Sequence, residues 1–257
     1  MSRGPALFGR YAFPPNELGY CGPPGAGALL EAITNGDGVG RRAREFDGAW
    51  TYLDVLARSG GYTDRLDPAV VKAYWVGSDL VDEIDPADLR RRLRVAFAGQ
   101  PGGILHELRP QDCLAHHSFH VLAVYPWLRM LPRGGAIALS MLQQCRIRWG
   151  RVVDRDGDDA TVLSRPLLFD GTQLHLGDAV PEQVRWQSAG RALVPDPAEG
   201  DLVSLHWSWM CDRLSYDDIG QLERLTDRSL AVANRALRSA HPSPGGTGAP
   251  ARRSSSD

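Results

Sequence analysis

The apolar residues of this chain change their period at Cys145. Upstream they recur at helical spacing: Phe46, Trp50, Leu53 and Leu56 share one side of a 3.6-residue turn, and so do Val70, Tyr74 and Val81. Downstream they alternate, and Ile147, Trp149, Arg151 and Val153 are expected on one face of a strand. One element cannot satisfy both periods. A helical part must therefore give way near Cys145 to a β part built from short strands, a small barrel or sandwich.

Local signals refine the division. Residues 1–27, rich in Pro, Gly and aromatics, are expected to be irregular. Asp67-Pro68 and Asp85-Pro86 each place a capping carboxylate before a proline suited to the first helical position. The second of these helices ends at Gln100-Pro101-Gly102-Gly103. A further helix starts near Pro110-Gln111-Asp112 and is disturbed at Pro126, and a short one, Ala136 to Leu142, follows Gly134-Gly135. Asp156-Gly157 and Asp170-Gly171 are turns between strands, with ATVLSRPLLF, TQLHLG, VRWQ and DLVSLHWSWM as the strand segments. The last helix has Ser215 as its cap, Asp218 three residues on, and a stripe of Ile219, Leu222, Thr226, Leu230, Ala233 and Leu237. The expected organisation is a mainly helical domain over 1–140, a β-plus-helix domain over 141–240, and a disordered tail over 241–257.

A formal net charge of −2 on 257 residues gives no electrostatic argument for nucleic acid or an anionic membrane. Arg90-Arg91-Arg92 is a solvated helix face, and Lys72, the only lysine, sits in an ordinary helical segment. The N-terminus lacks the apolar core of a secretory signal. The longest mostly apolar stretch, Phe119 to Trp127, is too short to span a bilayer. A cytoplasmic location is expected, where Cys21, Cys113, Cys145 and Cys211 would be thiols or metal ligands rather than a disulfide framework. There is no P-loop, no dinucleotide fingerprint and no nucleophile elbow.

Two groups of residues carry metal-ligand chemistry. In CLAHHSFH a continuous helix would put Cys113, His117 and His120 on one face, with His116 beside them. Imidazoles at that spacing can reach one ion, although a helix face hydrogen-bonded to the N-terminal segment is the plainer reading. Cys145 at the helix-to-strand junction and His206 in the last strand segment would form a soft pair for iron or zinc if the fold brings them together, and are otherwise packing residues. Cys21, between glycines, suits either a tight turn or a ligand loop. Cys211, alternating with Trp207 and Trp209, suits packing.

From Cys145 to about Leu230 the chain resembles the HypC/HupF assembly chaperones of nickel-iron hydrogenases. The resemblance rests on an ordered set: Cys145 with Gly150 and Val152-Val153 at the family's spacing, Trp149 standing where the family has proline; Ala160-Thr161-Val162; Gly200-Asp201-Leu202-Val203-Ser204-Leu205-His206; and an acidic helix from Tyr216. It implies a small OB-like β-barrel and a C-terminal helix, which with the helical periodicity upstream makes the expected fold α+β, an N-terminal helical domain followed by that barrel and helix. It also implies a non-enzymatic role in hydrogenase maturation. The partner would be the large-subunit precursor or a maturation scaffold, and Cys145 and His206 would carry iron as a transient Fe(CN)2CO unit. Tyr11 to Pro23 is similar to the opening of an uncharacterised actinobacterial hydrogenase-associated family. The competing expectations are a metal-dependent enzyme centred on His116, His117 and His120, and a small-barrel oligonucleotide binder, which the near-neutral charge disfavours.

Overall fold

The computed structural model describes residues 3–35, 38–100, 102–133 and 135–240. The tail expected to be disordered lies outside these residues, as do Pro101 and Gly134 at two of the expected breaks.

The first element departs from expectation. Residues 3–17 form a helix, α1 (Arg3–Glu17), with Pro14 and Pro15 confined to its last turn. Upstream of them the i→i−4 ladder is intact, and Phe8, Tyr11, Ala12 and Phe13 are buried. Burial of this aromatic face outweighs the poor helix propensity of a Pro/Gly-rich sequence. Gly4 lets α1 approach the Leu66 backbone, where an added Cβ would lie 1.7 Å from the carbonyl oxygen. Against α1 pack α2 (Ala26–Asn35), α3 (Val39–Ala43) and α5 (Pro68–Trp75), while α4 (Asp47–Ser59) packs on α5 and α6 (Pro86–Ala96) on α4. Asp67 and Asp85 accept the amides of Ala69 and Ala87, as their position before proline predicts.

Next come a short helical turn, α7 (His117–Phe119), which runs into a π turn over His120–Val124, then α8 (Trp127–Met130) and α9 (Ala136–Cys145). In the π turn the Tyr125 amide reaches back five residues to His120, and the backbone of residues 103–104 packs on its end, where the Ile104 amide takes the Ala123 carbonyl at 2.8 Å. Gly103 is required there, because a Cβ would lie 2.1 Å from the Val124 oxygen.

The β part contains β1 (Arg148–Asp156), β2 (Asp159–Ser164), β3 (Leu167–Phe169), β4 (Leu174–Leu176), β5 (Val180–Arg185), β6 (Gln187–Ser188), β7 (Arg191–Ala192), β8 (Leu202–His206) and β9 (Trp209–Arg213), before the last helix, α10 (Tyr216–Ala240). Five strands form a ring in the order β1-β2-β5-β9-β8, closed by one parallel pairing, Arg185 with Trp209. Two expected strands are each divided. ATVLSRPLLF breaks at Arg165-Pro166, because proline cannot donate to the ladder. DLVSLHWSWM folds back as the β8–β9 hairpin, with Trp207 at a φ of 53° in the turn. The expected face of Ile147, Trp149, Arg151 and Val153 is also revised. A bulge between Val152 and Asp154 shifts the register, and Val152 lies in the small core inside the ring with Val162, Val184, Val203, Leu205 and Met210.

The main core is continuous from the helices into the β part. Trp209, Cys211, Leu222 and Leu225 belong to the same cluster as Phe8, Tyr11 and Leu53. The α10 stripe packs on α7, the π turn and α8. Its start is a reciprocal cap, with Ser215 Oγ accepting the Asp218 amide and Asp218 accepting the Ser215 amide. Ser215→Ala is expected to lower stability by about 1 kcal/mol, measurable by urea unfolding; an unchanged midpoint would count against the cap. Among the described residues no helix is long and apolar enough to cross a membrane.

Candidate metal centre

The CLAHHSFH histidines do not act as one face. The helix begins only at His117, so Cys113 stays on extended backbone with its thiol directed at the Arg109 carbonyl, 3.9 Å away. His116 is the cap of α7: its Nδ1 accepts the Ser118 amide at 3.2 Å, and it is not among the donor atoms that lie together. Cys113 and His116 therefore drop out of the expected ligand cluster. His117 and His120 remain together, with ring centroids 6.3 Å apart. His120 Nδ1 pairs with the Tyr52 hydroxyl at 3.2 Å.

His117 is joined instead by the two residues of the other expected group. One donor atom from each of His117, Cys145 and His206 lies within 4.8 Å of the others. The prolines of α1 help to set this up. Pro15 has no amide to give to the Tyr11 carbonyl four residues earlier. That oxygen accepts His206 Nδ1–H at 2.7 Å. The bond fixes the tautomer, so Nε2 carries the free lone pair, the usual outer-shell arrangement of a ligating histidine. His206 Nε2 is buried and makes no hydrogen bond. Tyr11 is itself held by a 2.7 Å contact from its hydroxyl to Ser204 Oγ on the strand that bears His206.

Cys145 ends α9, and its position is braced from both sides. The Trp207 amide, next to His206, donates to the Gln144 carbonyl at 2.8 Å. Arg148, almost wholly buried, donates to the Gln143 and Gln144 carbonyls at 3.1 Å each and also to the Trp207 carbonyl. His117 Nε2–H donates to the Cys145 carbonyl at 2.9 Å, and the Tyr74 hydroxyl meets His117 Nδ1 at 3.1 Å.

The three residues line a cavity of about 420 Å3 between α1, the helical region before α9, and the β8–β9 hairpin, with His120, Tyr125, Tyr74 and Cys21 also in its wall. Burial holds the imidazoles neutral. His117 is depressed to about 4, and His206 lies well below the usual range through burial and the proximity of His117. His120 and His116 are each depressed to about 3, again by burial first. Burial pushes the Cys145 thiol up, with the neighbouring Cys21 adding to the effect.

A neutral imidazole with a free lone pair, a second imidazole and a thiol are a borderline-soft donor set. The ligands of one tetrahedral ion, at bond lengths of about 2.0–2.3 Å, stand roughly 3.3–3.8 Å apart. Closing from separations of up to 4.8 Å needs shifts of at most about 1–1.5 Å, and His117 must exchange a hydrogen bond for the ion. His206 and His116 both bury an unpartnered Nε2, and of the two only His206 has a thiol and a second imidazole within 4.8 Å, which is the observation that fits a metal best.

Sequence reasoning picked out all three residues but assigned them to two different sites. It missed Tyr11 and Tyr74, which orient the imidazoles. The signal for Tyr11 was Pro15 four residues on, which has meaning only if residues 3–17 are helical.

No curated protein and no solved structure matches the chain. A family model described as a family of unknown function (DUF6390) matches residues 1–240, and the chain belongs to that family.

Proposed function

We propose that this chain is a metal-holding accessory protein that binds a thiolate-preferring transition-metal ion through His117, Cys145 and His206 and hands it to a partner in nickel-iron hydrogenase maturation. The observation that carries the reading is the buried, unpartnered His206 Nε2 beside the Cys145 thiol and His117. Three protein ligands leave a fourth position open, which suits exchange rather than purely structural binding. The cavity is also larger than a bare ion requires and has room for small ligands carried on it. The hydrogenase assignment rests on the resemblance of the β part to the HypC/HupF chaperones, whose carrying cysteine and histidine correspond to Cys145 and His206. In this reading the five-stranded ring is the family's OB-like barrel, iron as an Fe(CN)2CO unit is the cargo, and the large-subunit precursor or a maturation scaffold is the partner.

The test is elemental analysis of protein purified without oxygen, together with capture of the hydrogenase large-subunit precursor from cells that express it. About one ion per chain is expected, falling below about a tenth in Cys145→Ala and His206→Ala. Cys113→Ala and His116→Ala should retain it. Full retention by Cys145→Ala and His206→Ala would remove the site. Bound metal without capture of the precursor or of any maturation scaffold would leave the metal site and remove the hydrogenase role.

A further inference from the structure

One more thiol faces the same cavity. Cys21 lies in its wall, although it stands outside the set of donor atoms within 4.8 Å of one another. It belongs to the turn that follows α1, and the surroundings of that turn are specific. Asn16 Nδ2–H, at the end of α1, donates to the Cys21 carbonyl at 2.8 Å and to the Pro23 carbonyl at 2.7 Å, so the turn is hung from one side chain. Gly19 and Gly22 have φ of 75° and 82°, a conformation that other residues rarely adopt. At Gly22 there is no room for a side chain, because a Cβ would lie 2.3 Å from the Phe46 ring. At Gly19 nothing lies within 4 Å of the corresponding position, so the hinge side of the turn is open.

The outer edge of the turn is fastened to the metal-bearing hairpin. The Tyr20 ring stacks on Trp207 with centroids 4.5 Å apart and planes inclined by 16°. Trp207 follows His206 directly and is held in a left-handed conformation with φ 53°. Tyr20 is nonetheless 57% exposed, so the stack is a surface latch rather than a core contact.

We propose that Cys21 is a fourth, displaceable ligand: from the latched Tyr20–Cys21 turn its thiol moves in on the ion to complete a Cys2His2 shell, and with the turn out the ion keeps a three-ligand shell with one open position. Cys2His2 is an established tetrahedral shell, whereas three protein ligands with one open position are the arrangement of sites that exchange a ligand. This rests on the metal reading above. It adds a physical account of retention and release: a closed shell for storage, opened by loss of one aromatic stack at the surface. The chemistry is balanced ligand exchange with no oxidant. Each thiol that ligates loses its proton to solvent, and each imidazole binds in its neutral form without releasing one.

The test uses the full chain, freed of metal and titrated with Co2+ alone under anaerobic conditions. The expected result is a thiolate-to-metal charge-transfer absorbance per bound ion that falls by about half in Cys21→Ser, with about two protons released per ion in the parent and about one in the variant. Transfer of the ion to a chelator should be at least about tenfold faster in Cys21→Ser, since one of four protein ligands is lost. A second measurement on the unaltered chain does not depend on the variant folding: alkylation of Cys21, read by peptide mass, should be blocked by Co2+. Equal charge-transfer absorbance and proton release in the two proteins, or alkylation of Cys21 unaffected by the ion, would overturn the proposal and leave the three-ligand site intact. Failure of the parent chain to bind Co2+ at all would remove both readings.

Discussion

Replacing Arg148 by alanine is expected to lower stability by about 3–5 kcal/mol and to empty the metal centre. The side chain is 2% exposed and its guanidinium is fully engaged. Nε and Nη2 donate to Glu182 at 3.1 and 3.0 Å, Nη1 to two carbonyls at the end of α9, and Nη2 also to Trp207. Truncation removes the Arg148 bonds to the Gln143 and Trp207 carbonyls and leaves the Gln144 carbonyl with the Trp207 amide alone. Glu182 keeps only the 2.7 Å bond from Ser164 Oγ, although water can reach part of the carboxylate. Lysine would preserve the charge but not the planar fork that reaches four acceptors, so Arg148→Lys is expected to recover less than half of the loss. The same bonds set the separation between Cys145 and His206, so metal retention should fall with stability. Urea unfolding and elemental analysis of one preparation measure both effects. A variant within about 1 kcal/mol of the parent would show that Arg148 is not the brace described here.

The second large effect is on pH. His116, His117, His120 and His206 are all held neutral by burial, with folded values depressed to about 3, 4, 3 and well below the usual range. In the unfolded chain each titrates near 6.5. The unfolded state therefore binds more protons, and the stability these groups confer is complete above about pH 6.5 and lost as the pH falls below it. Each histidine weakens the fold by about 1.4 kcal/mol per pH unit below that point, so four together remove roughly 5–6 kcal/mol by pH 5.5. That is comparable with the whole stability of an ordinary domain. Metal-free protein should thus unfold near pH 5, with up to about four protons taken up. The carboxylates held low by arginines, such as Asp54 and Asp82, act in a separate window, below about pH 4. Urea unfolding at pH 7.5 and 5.5 decides the matter: a free energy that is flat between them would mean the histidines are hydrated or already charged. A bound ion should lessen the loss, since His117 and His206 would then be held by the metal as well as by burial.

Much of the helical and strand content follows from local chemistry. Asp67-Pro68, Asp85-Pro86 and Ser215 with Asp218 start helices where their capping groups predict, and the turns at Gly157 and Gly171 adopt positive φ as Asp-Gly pairs suggest. These signals are legible because each acts within four residues of itself. The α1 helix was not legible, because Pro14, Pro15, Gly4 and Gly9 oppose a helix locally while its aromatic face gains stability only by packing on distant segments, α5 and the hairpin among them. The β8–β9 hairpin was missed for the same reason, since Trp207 is a poor turn former held in place by Gln144 and Arg148.

The sequence by itself determined which residues have ligand chemistry, Cys145, His206 and His117 among them, and that the chain divides at Cys145 into helical and β parts. Only the tertiary structure decided which of those residues meet. Neither the distance between residues 117 and 206 nor the direction of a ring is encoded in spacing along the chain. The Tyr74 hydroxyl and the Cys145 carbonyl orient His117, the carbonyl freed by Pro15 aims His206, and Arg148 sets the gap between Cys145 and His206. Each of these is a contact between segments far apart in sequence, and it has physical meaning only once α1 is packed against the strands.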